Sequence, residues 1–398
     1  MTLTPHPAVR RFTVALTAVT LAVLTACSGS RSGPADSASS PAGAKVTVSP
    51  AAGASRVAPA TPVVVTVDNG RLTAVTVRSD DGDVVDGASD PTGRRWTSEG
   101  KLSFGATYVV QVTTDKGKPT TSTFRTVPKP GAEESVRTSS TLGDAKTYGI
   151  GMPIILRLSR SLENPAQRAA YERALKVRSE PATTGAWGWI SGTEVHFRPS
   201  AYWAPGSRVR VEVDTAGRPI DDVWGRTDIT VDFKIGTARQ LVVDSATKQM
   251  RVVEGGRVVR TIPVSLGKPK FPSSSGTMVL IDKRPTALFD SSTYGLAVDS
   301  PDGYRTKVQY AMRLTWGGEF IHAAPWSVAD QGRRNVSHGC INVSTANAAW
   351  LFNRAQVGDP VTVKNTETTV QIGNGWSDWT VDFPTWLKRS ATGEQQTA

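Results

Sequence analysis

Trp96-Thr97-Ser98-Glu99-Gly100-Lys101-Leu102-Ser103-Phe104-Gly105 is echoed 101 residues downstream by Phe197-Arg198-Pro199-Ser200-Ala201-Tyr202-Trp203-Ala204-Pro205-Gly206. After each stretch a strand follows with apolar residues at every second position: Tyr108, Val110 and Val112 in the first, Val209, Val211 and Val213 in the second. Phe124-Arg125-Thr126 closes the first copy and Phe233-Lys234-Ile235 the second. Upstream, Val46-Thr47-Val48, Val63 to Val67 and Ala74 to Val77 alternate in the same way, separated by turn residues at Asp68-Asn69-Gly70, Asp81-Gly82 and Asp115-Lys116-Gly117. Two copies of one small β-sandwich are expected.

The copies span 45–127 and 130–237, joined by Val127-Pro128-Lys129-Pro130-Gly131, where two prolines withhold ladder hydrogen bonds. Each is near the size of an immunoglobulin-like domain, without the bridging cysteines. Glu163 to Val177, an insertion in the second copy, has the Ala and Leu spacing of one helix. No cluster of aromatic or charged side chains gives the copies a chemistry of their own, so they read as spacers. Asp221, Asp222 and Asp228 could line a cation site in a loop, but three acidic residues fall short of the oxygens calcium takes, and no metal is assigned.

The first 26 residues read as an export signal: Arg10 and Arg11 precede an apolar run from Phe12 to Leu24, too short to span a bilayer. Leu24-Thr25-Ala26-Cys27 resembles a bacterial lipobox, which implies a lipid on Cys27 and a protein held at the outer face of the cytoplasmic membrane. Residues 27–44, rich in Ser, Gly, Ala and Pro, form a tether. The chain carries a net charge of +11, or +9 without Arg10 and Arg11, which suits an anionic envelope. Its basic residues are scattered rather than clustered with aromatics, which argues against nucleic acid.

From Arg239 a third β-rich domain is expected over 238–365, with strands at Leu241–Asp244, Met250–Val253, Val258–Val264 and Thr277–Ile281, and Glu254-Gly255-Gly256 as a hairpin turn. Ser344 caps one predicted helix running to Gln356. Near its end lies Ser337-His338-Gly339-Cys340-Ile341-Asn342. The only other cysteine is Cys27, so a lone thiol beside an imidazole reads as a nucleophile rather than half of a bridge. Two histidines compete for the base: His338, two residues away on the same face of an extended segment, and His322, at the end of the apolar strand Glu319-Phe320-Ile321.

Gln240 to Asp244, the Gly255-Gly256 hairpin, Ser265-Leu266-Gly267 leading to Pro272 and Gly276-Thr277, and His322 followed by Ser337 to Asn342 resemble the L,D-transpeptidase family. The layout is similar to its lipoprotein members with two immunoglobulin-like domains, a YkuD-type catalytic domain and an aromatic tail. The resemblance implies Cys340 as nucleophile, His322 as base oriented by the carbonyl of Ala323, and His338 as a structural or oxyanion-side partner. Gly339 and Cys340 would offer amides to the oxyanion, and Ser337 would hold the loop through its hydroxyl. Asp290 to Gly295 and Pro301 to Thr306 would form a lid. Tyr304 and Trp326 would wall the channel, Gly317 and Gly318 would admit peptide backbone, Asn342 would brace the site or contact the donor peptide, and Tyr294 would simply pack. Trp316 stands where many relatives carry tyrosine.

The implied substrates are peptidoglycan stems, a tetrapeptide donor losing D-alanine and an amine acceptor, giving 3-3 cross-links through a thioester. Carbapenem-type β-lactams would acylate the thiol, and neither metal nor cofactor is needed. The same site could instead run as an L,D-carboxypeptidase or attach protein to the wall; a non-catalytic wall-binding lipoprotein is the rival from another class. The tail, 366–398, with Trp376, Trp379, Phe383 and Trp386, is expected to pack on the catalytic domain, and its last ten residues to be disordered.

Overall fold

A computed structural model describes residues 43–397. The export signal, Cys27 and most of the tether lie outside the described residues. The protein is mainly β. In the first sandwich, the strands Lys45–Ser49, Val64–Asp68, Arg95–Ser98 and Gly87–Ser89 form one sheet, and Leu72–Ser79, Thr107–Thr114 and Thr120–Arg125 the other. Their inward residues, among them Val65, Val77, Trp96, Tyr108, Val110 and Phe124, make one core, as the period-two pattern requires.

The second sandwich repeats the plan. Gly105 donates its amide to Val127 O at 2.7 Å, and Gly206 donates to Ile235 O at 3.0 Å, so the echoed glycines do the same job. The predicted helix is shorter than the 163–177 span: it covers Pro165–Glu172, capped by Asn164, and Val177 instead belongs to the strand Leu175–Glu180. Pairing of Val177 with Val211 in the sheet overrides the local helical spacing. The three loop carboxylates go to separate partners: Asp221 to Asn164, Asp222 to Gln167 and Asp228 to Lys101 of the first sandwich. They do not assemble a cation site.

The catalytic unit pairs two sheets. Arg257–Pro263, Gln249–Glu254, Arg239–Asp244, Pro360–Lys364, Ser274–Val279 and Thr368–Thr369 make the first, in that order; Asp282–Asp290, Arg305–Arg313, Phe320–Ala323 and Ile341–Val343 make the second. The helix Thr345–Arg354, capped by the Ser344 hydroxyl, packs across the second sheet. Catalytic unit and second sandwich are fused. Val279 and Ile281 share one core with Ile154, Trp187 and Phe197 of the sandwich. Gly149 and Gly151 donate to Val357 O and Gly358 O, and a Cβ on Gly149 would lie 2.2 Å from the Asp359 nitrogen. Gly149→Ala should therefore cost about 2 kcal/mol, read as a lower urea midpoint, because backbone on both sides blocks relaxation.

The tail corrects two expectations. Its first part does pack on the catalytic domain, Thr380 bonding Thr277 and Trp376 standing edge-on to Trp316, but the later rings lie on the second sandwich: Trp386 is fully buried and donates to Ala186 O at 3.1 Å, and Trp379 donates to Gly151 O at 2.7 Å. The guanidinium of Arg198 sits 4.6 Å from the Trp379 ring centre and 5.3 Å from that of Trp386. The terminus is ordered as well, since Glu394–Gln396 adds a strand to Thr184–Ser191. That strand reads as an apolar run, Ala186-Trp187-Gly188-Trp189, and needs cover on both faces. The tail provides it.

His196 pins the same joint, with Nδ1 2.7 Å from Asp378 and Nε2 2.9 Å from Glu194. Burial pushes its imidazolium down, but Asp378 and then Glu194 outweigh burial and raise it to about 9. The folded state thus holds this proton more tightly than the unfolded chain, whose histidine titrates near 6.5. The stabilisation is full below about pH 6.5 and lost as pH rises through about 9. Urea melts at pH 6, 8 and 10 should show that decline, and His196→Gln should flatten it.

Candidate active site

Parallel pairing of Phe320–Ala323 with Ile341–Val343 sets His322 opposite Asn342, which carries His322 to the cavity that the loop before Ile341 also enters. His322 and Cys340 line one cavity of about 400 Å³ with Phe289, Tyr304, Thr306, Val308 and Trp326. The imidazole Nδ1 lies 2.9 Å from Ala323 O. A carbonyl only accepts, so Nδ1 carries the proton and Nε2 keeps its lone pair. Burial pushes His322 down to about 4, against the pull of that carbonyl. Burial likewise pushes the Cys340 thiol up to about 12, the Phe320 amide drawing it the other way. The resting pair is thiol and neutral imidazole.

The sulfur lies 3.6 Å from Gly318 O. Ser337 ties the loop: its hydroxyl donates to Cys340 O at 2.6 Å and accepts from the Gly339 amide at 3.1 Å. The expectation of a free Gly339 amide facing an oxyanion is thereby corrected, because Ser337 already occupies that donor. Gly339 adopts φ +116°, a region that side chains rarely enter, and its carbonyl accepts from Ser273 at 2.7 Å. Asn342 donates to Ser327 at 3.1 Å. It braces the floor.

His338 lines the same cavity but has no carbonyl among the described residues to fix its tautomer. Its ring packs between Phe271 and Tyr304, with centroids 4.9 and 5.1 Å away, and its Nε2 is 3.8 Å from Asp302, too far for a hydrogen bond. The lid is a hairpin of Asp282–Asp290 and Arg305–Arg313, whose tip is latched where Asp302 meets Lys268 and Lys270, both at 2.6 Å. Tyr304 hangs from it into the cavity. Tyr294 does not pack as expected: it is 45% exposed and its hydroxyl meets that of Tyr304.

Gly317 and Gly318 fall in a second cavity of about 300 Å³ on the other side of the lid, with Tyr294, Arg313 and Trp316; Phe289 and Tyr304 divide the two spaces. Trp316 is 44% exposed and stands edge-on to Trp376. Trp326 lies 6.0 Å from the His322 ring. Sequence reasoning placed Thr306 only in the lid and passed over Val308, although Tyr304, Thr306 and Val308 alternate and so share a face. A depression of about 390 Å³ on the second sandwich, lined by Arg178, Arg208, Arg210 and Asp232 among others, has neither cysteine nor histidine in its wall.

Residues 238–363 match the family model described as the L,D-transpeptidase catalytic domain, and residues 54–219 that of a bacterial Ig domain, which spans parts of both sandwiches. L,D-transpeptidase 2 of Mycobacterium tuberculosis (strain CDC 1551 / Oshkosh) is 35% identical over 350 residues, 87% of this chain and 85% of that protein. The chain belongs to the L,D-transpeptidase family. L,D-transpeptidase 5 of Mycobacterium tuberculosis (strain ATCC 25618 / H37Rv) is 30% identical over 93% of this chain and 82% of its own length. The solved structure of LD transpeptidase LdtMt1 in complex with imipenem is 36% identical, with a TM-score of 0.51, and covers 57% of this chain and 97% of that one. This L,D-transpeptidase chain thus shares its fold with a protein solved with a carbapenem bound.

Proposed function

We propose that this protein cross-links peptidoglycan stems through a thioester on Cys340. The observation that carries the reading is the shared cavity, which a buried thiol and a buried imidazole, its Nδ1 fixed on Ala323, both line under an aromatic lid. As Cys340 Sγ attacks the carbonyl of the third residue of a tetrapeptide stem, its proton passes to Nε2 of His322. The tetrahedral intermediate collapses to a thioester, and the departing D-alanine amine takes the proton from His322. A side-chain amine of a second stem then attacks, giving its proton to His322, and the expelled sulfur regains one.

The amide of Cys340 is the oxyanion donor in this scheme, that of Gly339 being held by Ser337. Cavities on both sides of Tyr304 give donor and acceptor separate approaches. A lipid on Cys27 would hold the enzyme at the outer face of the cytoplasmic membrane, with both sandwiches as spacers; intact mass of membrane-extracted protein checks the anchor. Incubation with one purified tetrapeptide stem should yield dimer and free D-alanine. Tripeptide without dimer would instead identify a carboxypeptidase, and no product would favour a wall-binding protein.

A further inference from the structure

Glu319 is a half-buried carboxyl beside the nucleophile for which the acyl-transfer scheme has no use. Its neighbours on either side bracket the sulfur: Gly318 O lies 3.6 Å from Sγ, and the Phe320 amide points at it. Glu319 lies between them, just before the strand Phe320–Ala323, so its backbone conformation decides where both groups sit. The side chain is anchored. One oxygen accepts from Ser274 twice, from the amide at 3.1 Å and from the hydroxyl at 2.7 Å.

Ser273, next in line, donates from its hydroxyl to Gly339 O at 2.7 Å. Two adjacent serines thus tie both walls of the thiol, the backbone at Glu319 and the loop at Gly339. A Cβ on Gly339 would lie 3.8 Å from Glu319 Cγ, which places the carboxyl directly behind the loop.

We infer that Glu319 is a positioning residue for Cys340: held by Ser274, it fixes the backbone that brackets the sulfur and sets a carboxylate behind the thiol loop. This rests on Cys340 being the nucleophile. The charged and titratable groups around the thiol and Glu319 are His322 on the strand that follows, Arg313 on Arg305–Arg313, Tyr294 and Tyr304 on the lid, and His338 on the loop; Pro272 to Ser274 contribute none. Arg313 opposes Glu319, drawing the thiol down where the carboxylate pushes it up. Glu319 is itself raised by burial, against the two Ser274 bonds. A thiol that stays protonated until His322 takes its proton during attack is spared the oxidation to which a standing thiolate is exposed.

Iodoacetamide alkylation of the full chain, followed on the Cys340 peptide by mass spectrometry between pH 6 and 9, reads thiol ionisation without any stem peptide. It therefore gives an answer even if the cross-linking reading fails, and adduct formation with imipenem tests the nucleophile separately. Glu319→Gln keeps an oxygen for Ser274 and removes the charge. Its rate at pH 7.5 should rise about threefold for each unit by which the thiol is lowered, since thiolate increases tenfold while nucleophilicity falls. Glu319→Asp, which keeps the charge, should stay within about twofold of wild type. Ser274→Ala, read in place of Glu319→Gln should that variant not fold, weakens the carboxylate and should also react faster. A Glu319→Gln rate at or below wild type, equal acceleration in Gln and Asp, or an unchanged Ser274→Ala would each overturn the inference.

Discussion

His322→Ala should slow acylation of Cys340 by imipenem by about 10²- to 10⁴-fold at pH 7, the range expected for loss of a general base. His338→Ala should cost no more than about tenfold, because that ring is packed between Phe271 and Tyr304 rather than fixed on a carbonyl. Cys340→Ala should gain no adduct at any time of exposure. The pH profile carries a further expectation. Burial holds His322 near 4, so its Nε2 is unprotonated across pH 5.5 to 8 and the acylation rate should show no histidine limb there; the fall should come near pH 4. A limb near 6.5, the ordinary histidine value, would contradict a buried base. Intact-mass kinetics on the three variants and stopped-flow acylation across pH decide both points.

Trp386→Ala should destabilise the protein by about 3–5 kcal/mol, the cost of emptying a fully buried aromatic site. The indole lies over Gly188, gives its N–H to Ala186 O and backs the Arg198 guanidinium, so no neighbour can close the hole without abandoning a partner. Trp386→Phe should lose less, keeping the ring and forfeiting one hydrogen bond. A thermal melt in which both variants match wild type would show that the tail is an accessory and not part of the second sandwich. Because that sandwich shares its core with Val279 and Ile281 of the catalytic sheet, the Ala variant should also lower the melting temperature of the catalytic unit.

Much of the site was legible before any coordinates. A single thiol in Ser337-His338-Gly339-Cys340, a histidine ending an apolar strand, and turn-rich segments around Tyr304 are local features, carried by residue type and spacing. Less legible was which neighbours compete for each group. Ser337 spaced two residues from Gly339 did not show that its hydroxyl would occupy the Gly339 amide, and Tyr294 gave no sign that it would stand in solvent against Tyr304. The helix at Pro165–Glu172 was found but overextended, because strand pairing at Val177 is decided by Val211, far along the chain.

By itself the sequence determined the period-two strands, the doubled sandwich, the capped helix at Ser344 and the candidate thiol at Cys340, since alternation, turn residues, caps and thiol chemistry act over a few residues. Only the tertiary structure decided where the tail goes and what the buried groups become. His196 and Asp378, 182 residues apart, form a charged contact only when the tail docks on the second sandwich. Glu319 reaches Ser274, and the thiol and imidazole become a neutral pair, only when the surrounding elements remove water from them. Desolvation and long-range pairing belong to the packed assembly, and no window of sequence contains them.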